Sequence, residues 1–120
     1  MKTIRFKNEL IDEECYVIPG TYGNNRLALR LVGVTIDHYG MNPPIATATV
    51  NIPHAELPPN CVFIKDWSEN KGMVECLIDA NIINPVPQGR VTTGFVVAGA
   101  YELTAEMIEY IKNYKRSHDI

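Results

Sequence analysis

Ile64-Lys65-Asp66-Trp67-Ser68-Glu69-Asn70-Lys71-Gly72-Met73 holds the only tryptophan of the chain. It stands where a strand-like run, Cys61 to Asp66, gives way to a helix-like one, Ser68 to Asn81. Met73, Val74, Leu77 and Ile78 follow helical spacing, and Ser68 is the expected N-cap. A strand opening into a helix leaves backbone N–H groups free at its mouth, which suits an anion. An indole beside that mouth suits a flat base.

Upstream of this junction the period is two. Ile4 and Phe6 alternate with Arg5 and Lys7, and Glu13 to Pro19 alternates in turn, so Asn8 to Asp12 reads as a hairpin link. Pro19 to Asn25 has turn chemistry. Arg26 to Asp37 reads as a long strand with Leu27, Leu29 and Leu31 on one face. His38 to Pro44 reads as a loop, Ile45 to Ile52 as a strand, and the proline-rich Pro53 to Asn60 as a connector. Downstream, Pro85-Val86-Pro87-Gln88-Gly89 reads as a rigid turn and Arg90 to Ala98 as one strand. Thr104 caps a last helix striped by Met107, Ile108 and Ile111, with a polar tail from about Lys115.

The expected order is βββββαβα in a single domain over residues 1–120. The fold class is α+β: a mostly antiparallel sheet of about six strands, with two helices on one face. The apolar share of 46% and charged share of 21% suit a chain that buries a core. A net charge of −3 gives no basic surplus of the kind that wraps duplex nucleic acid. No stretch approaches a membrane span, and Met1 to Lys7 lacks the apolar segment of a signal peptide. Cys15, Cys61 and Cys76 share no metal-ligand spacing and read as thiols of a reducing cytoplasm.

The candidate ligand-binding residues are Asn25, Arg26, Lys65, Trp67, Ser68, Asn70, Arg90, Thr92 and Thr93. Trp67 has two readings: a base platform beside a phosphate site, or an anchor of the helix on the sheet. A turn ending in Arg26 can clamp a phosphate, or can simply present a solvated arginine. Arg90-Val91-Thr92-Thr93-Gly94 suits a diphosphate or ribose, although threonine-rich strands are commonly just strands. Gly94 within a strand suggests a close backbone approach. His38, His54 and His118 share no spacing, and no P-loop, G-x-S-x-G or H-E-x-x-H occurs, so no catalytic residue, metal or cofactor is assigned. Binding is favoured over catalysis.

Three runs in one order, Asn24 to Leu31, Ala46 to Pro53 and Ile64 to Met73, carry a resemblance spanning roughly residues 1 to 100. The chain resembles small phage and gut-bacterial proteins of a former domain-of-unknown-function family. It is similar within that group to the first family of phage Thoeris anti-defence proteins. The resemblance implies a protein that sequesters a nucleotide-derived immune signal, a cyclic ADP-ribose isomer, without cleaving it. It further implies a separate site for cyclic oligonucleotides in some members, ligand pockets near subunit boundaries, and a homo-oligomer, either a dimer or a dimer-based hexamer. The setting would be the bacterial host cytoplasm. Three alternatives stand beside it. One is a protein-binding inhibitor of another defence system such as CRISPR, and a second is a small structural interaction domain. The third, an enzyme degrading a cyclic nucleotide signal, needs a metal or a paired acid and base.

Overall fold

In the computed structural model, which describes residues 1–118, the two-residue alternation builds the first sheet. β1 (Thr3–Lys7) buries Ile4 and Phe6 and turns Arg5 and Lys7 outward. β2 (Asp12–Thr21) pairs with it antiparallel, Ile4 opposite Cys15. Asn8 makes the link: its Oδ1 accepts the N–H of Leu10 and of Ile11, both at 2.8 Å. β3 (Leu27–Gly33) pairs with β2, Val17 opposite Leu31, and β4 (Pro44–Thr47) pairs with β3, Leu31 opposite Ala46. A second sheet contains β5 (Cys61–Ile64), β6 (Ile83–Thr93) and β7 (Val96–Leu103) in the order β5-β7-β6. The helices are α1 (Met73–Asp79) and α2 (Ala105–His118).

The fold is α+β with every strand pairing antiparallel. It has seven strands in two sheets where about six in one were expected. Two segments account for the difference. Pro85 to Gly89 is part of a strand because β6 lies at a sheet edge, where a missing N–H costs no ladder bond. The ladder shifts register on either side of Pro87, as a proline-bearing edge would. The run Arg90 to Ala98 then splits, with Thr93 opposite Val96. Gly94, at φ +60°, opens the two-residue turn between them. Its freedom serves a hairpin turn instead of a close approach within a strand.

The two sheets are stitched together by Ala48 to Val50. Ala48 donates its N–H to the Leu29 carbonyl (2.8 Å), and its own carbonyl accepts from Lys65 (2.9 Å). Val50 donates to Phe63 (3.0 Å), and Thr49 bridges Ile64. The expected Ile45–Ile52 strand is therefore a strand that passes from one sheet to the other.

Residues Ser68–Asn70 form a single 3₁₀ turn, and α1 starts later than its periodicity predicts. Gly72, at φ +91°, occupies the N-cap position. The Asp66 carboxylate reaches across to accept the Val74 N–H at 3.0 Å. The helix ends where Asn81 turns left-handed (φ +58°), with Ile82 N–H bonding Leu77 and Asn81 N–H bonding Ile78. That pair of bonds is a Schellman stop. Thr104 caps α2 as expected, accepting the Met107 N–H at 3.1 Å and donating to the Asn81 carbonyl at 2.7 Å. The helix continues through Lys115 to His118, where a polar tail was expected.

Both helices pack into the main core with Phe6, Val17, Leu29 and Leu31, through Met73, Leu77, Met107 and Ile111. Along β5 the side chains part company. Val62 and Ile64 enter that core, while Phe63 points the other way into a small cluster with Ile52, Ala98 and Ala100. Burial pushes the Cys15 and Cys76 thiols up to about 11, with Glu13 and Asp79 respectively adding to it. Such thiols are poor nucleophiles at neutral pH. Leu77 is fully buried and Leu10 largely exposed. Leu77→Ala is expected to lower unfolding stability by about 2–5 kcal/mol, and Leu10→Ala by under about 0.5 kcal/mol, in urea titrations.

Candidate functional site

The stretch around Trp67 folds so that little of it is left for a ligand at the helix mouth. Trp67 is extended (φ −137°, ψ 170°) and half-buried, its ring packed against the small cluster on Phe63. Ser68 is exposed at φ +54° and makes no side-chain capping bond, so the expected Ser68 N-cap is not formed. The first turn of α1 already holds the Asp66 carboxylate, which disfavours a second anion there. Lys65 is paired with Glu69 at 2.6 Å, and this contact holds the Glu69 carboxyl below its ordinary range. Asn70 is buried, with its amide donating to the Thr47 carbonyl at 2.7 Å.

The Asn24–Arg26 turn is also committed to the fold. Asn25 adopts φ +67°, its N–H on the Tyr22 carbonyl at 2.9 Å. Arg26 runs over the Phe63 ring, 6.0 Å from its centroid. Its two terminal nitrogens donate to the carbonyls of Ile52 (2.7 Å) and Ala55 (2.6 Å). The guanidinium fork thus clamps backbone, the outcome of neither reading of the sequence, phosphate clamp or solvated arginine. It fixes the loop that follows Ile52, including Leu57, against the cluster.

That clamped loop forms one wall of an open cleft of about 430 Å³. Glu56, Leu57 and Pro58 line one side, and Gln88, Gly89 and Arg90 of β6 line the other. Phe63, Val91 and Ala100 form the apolar floor. Arg90 is exposed, and among the described residues its side chain has no carboxylate partner within ion-pair distance. The Gln88 amide donates to the Val86 carbonyl at 3.2 Å, which leaves its oxygen free to accept. The volume lies within the range of small-molecule sites.

Of the nine residues singled out in the sequence, Arg90 alone lines this cleft. Trp67 and Arg26 sit on the same small cluster from its other sides. Thr92 and Thr93 lie further along β6, beyond the lining. Ser68 borders a separate concavity of about 270 Å³ with Lys7, Asn8, Leu10, Lys71 and Gly72. Phe63, Gln88, Gly89 and Glu56 to Pro58 were not singled out. Their only sequence signal is the run of prolines and glycine on either side of the strand-like Cys61 to Asp66.

Among the described residues no three His, Cys, Asp or Glu side chains are grouped to share a metal ion. No helix among them is long and apolar enough to cross a membrane. No family model, curated protein or solved structure matches the chain.

If Arg26 is a clamp, removing it loosens the cleft wall and costs stability. Arg26→Ala is expected to destabilise by about 2 kcal/mol in urea unfolding followed by Trp67 emission. Thr92→Ala, on an exposed position, should stay within about 0.5 kcal/mol of the parent.

Proposed function

We propose that this protein binds and holds a nucleotide-derived small molecule in the cleft at Arg90, without cleaving it. The observation that carries the reading is an unpaired arginine beside an apolar floor in a cleft of about 430 Å³. A cyclic ADP-ribose isomer has the matching chemistry. Its base lies against the partly exposed Leu57 and Val91, its pyrophosphate meets Arg90, and its ribose hydroxyls reach Glu56 and the Gln88 oxygen. The sequence runs that resemble phage Thoeris anti-defence proteins support the same ligand class, and cyclic oligonucleotides are the second class to test. On this reading the protein is a phage anti-defence factor that removes an immune signal from the host cytoplasm, and it works as a homo-oligomer.

A second reading, a protein-binding inhibitor of another defence system, is favoured by one observation. Phe95 is fully exposed at the β6–β7 tip, with Val97 beside it on β7. Large exposed apolar side chains gathered at one place mark interaction sites.

Calorimetry with cyclic ADP-ribose isomers and cyclic oligonucleotides separates the readings. The expected result is binding by at least one cyclic ADP-ribose isomer, recovered chemically intact after heat denaturation. Arg90→Ala should weaken it by at least about tenfold, in line with loss of a charge-assisted contact. No binding by any of these compounds contradicts the proposal, and an altered ligand makes the protein an enzyme.

A further inference from the structure

Two opposite charges line the cleft and do not meet. Arg90 stands on the β6 wall and Glu56 on the loop wall. Both are exposed, and among the described residues neither takes part in an ion pair, with the other or with a third group. The backbone that carries Glu56 is held on both sides. Ala55, before it, gives its N–H to the Ile52 carbonyl at 3.1 Å, and its carbonyl accepts from the Arg26 guanidinium at 2.6 Å. Leu57, after it, packs on the Phe63 cluster, and Pro58 accepts the Cys61 N–H at 3.2 Å. The side chain of Glu56 therefore starts from a fixed place on the cleft wall, and only its own torsions are free.

A carboxylate accepts hydrogen bonds and cannot donate them. Toward a sugar hydroxyl, which donates, it makes a charge-assisted bond. A phosphate monoester on the same sugar oxygen reverses the sign of that contact. The donor is gone, and a group carrying about −1.5 to −2 charges at neutral pH takes its place. Like charges brought together reject a ligand that attraction elsewhere would admit. A pyrophosphate that meets Arg90 lies at the opposite wall, away from this repulsion. We propose that Glu56 is a specificity-determining residue of the cleft, admitting nucleotide-derived ligands with free ribose hydroxyls and rejecting those phosphorylated there. The proposal rests on the cleft being the ligand site.

Calorimetry tests it with each cyclic ADP-ribose isomer beside the same isomer phosphorylated in turn on each free ribose hydroxyl. The parent should bind an unphosphorylated isomer at least about tenfold tighter than its least tolerated phosphate ester, a ratio that lies between the limits for two like charges in water and at a protein surface. Raising the salt should shrink that ratio, because the cleft is open to solvent. Glu56→Gln keeps the shape and an accepting oxygen, and should bring the ratio to within about threefold by tightening the phosphorylated ligand. Its urea unfolding should match the parent, since the side chain is exposed. Glu109→Gln, the same charge change on the exposed side of α2, should leave the ratio as it was. A parent that binds both forms alike overturns the proposal, as does a ratio that survives Glu56→Gln. A Glu56→Gln variant that tightens both forms equally also overturns it, because Glu56 then only screens Arg90. These three outcomes leave the cleft reading standing, whereas no binding by any of the compounds sinks both.

Discussion

Thr49 stands where the two sheets of this molecule join, its hydroxyl tied to the first sheet and its backbone bridged to Ile64 of the second. It lies buried between the sheets, accepts the Leu29 N–H at 3.2 Å and shares a hydrogen bond with the Tyr22 hydroxyl at 2.8 Å. On either side of it the backbone passes from β3 to β5 through the carbonyl of Leu29 and the carbonyl of Phe63. A buried polar group of this kind is costly unless fully bonded, and here every partner belongs to the fold. The same crossing sets which way β5 faces. Val62 and Ile64 are turned into the main core, and Phe63 is turned out.

The cleft follows from that outward Phe63. An aromatic on the far face of a three-stranded sheet has to be covered, and Trp67 and the segment after Ile52 supply the cover. Arg26 is the tie, with its guanidinium on the ring and its two nitrogens on the Ile52 and Ala55 carbonyls. The cover is incomplete where the prolines of β6 disturb the sheet edge, and Gln88, Gly89 and Arg90 line the gap. The charge left over for a ligand is therefore Arg90, because Arg26 and Lys65 are both engaged elsewhere. The lining of the cleft and the packing of the small cluster both depend on a few residues of β6.

The parts legible in the sequence are those governed by local rules. Alternation located β1 to β3, the apolar stripe and Thr104 located α2, and the hairpin-like connections pointed to antiparallel pairing. What escaped is set by contacts distant in sequence. Pro85 and Pro87 look like turn formers until β6 is known to lie at an edge. Ser68 looks like a cap until Asp66 is seen bonding Val74 while Ser68 adopts a left-handed backbone. Arg26 and Arg90 have the same chemistry in the sequence. Only the fold distinguishes the one bonded to carbonyls from the one left open. Phe63 carried no signal, because a phenylalanine in a four-residue apolar strand says nothing about which face it takes.

On the proposed reading, a nucleotide-derived ligand binds in the cleft between Glu56–Pro58 and Gln88–Val91. The most direct measurement is amide and side-chain NMR during titration with cyclic ADP-ribose isomers. Saturable shifts are expected at Gln88, Gly89, Arg90, Val91 and the Phe63 ring, with the core at Leu29 and Leu77 unmoved. Saturable shifts at the Ser68–Gly72 turn with none at Arg90, or no shifts with any isomer, would contradict it.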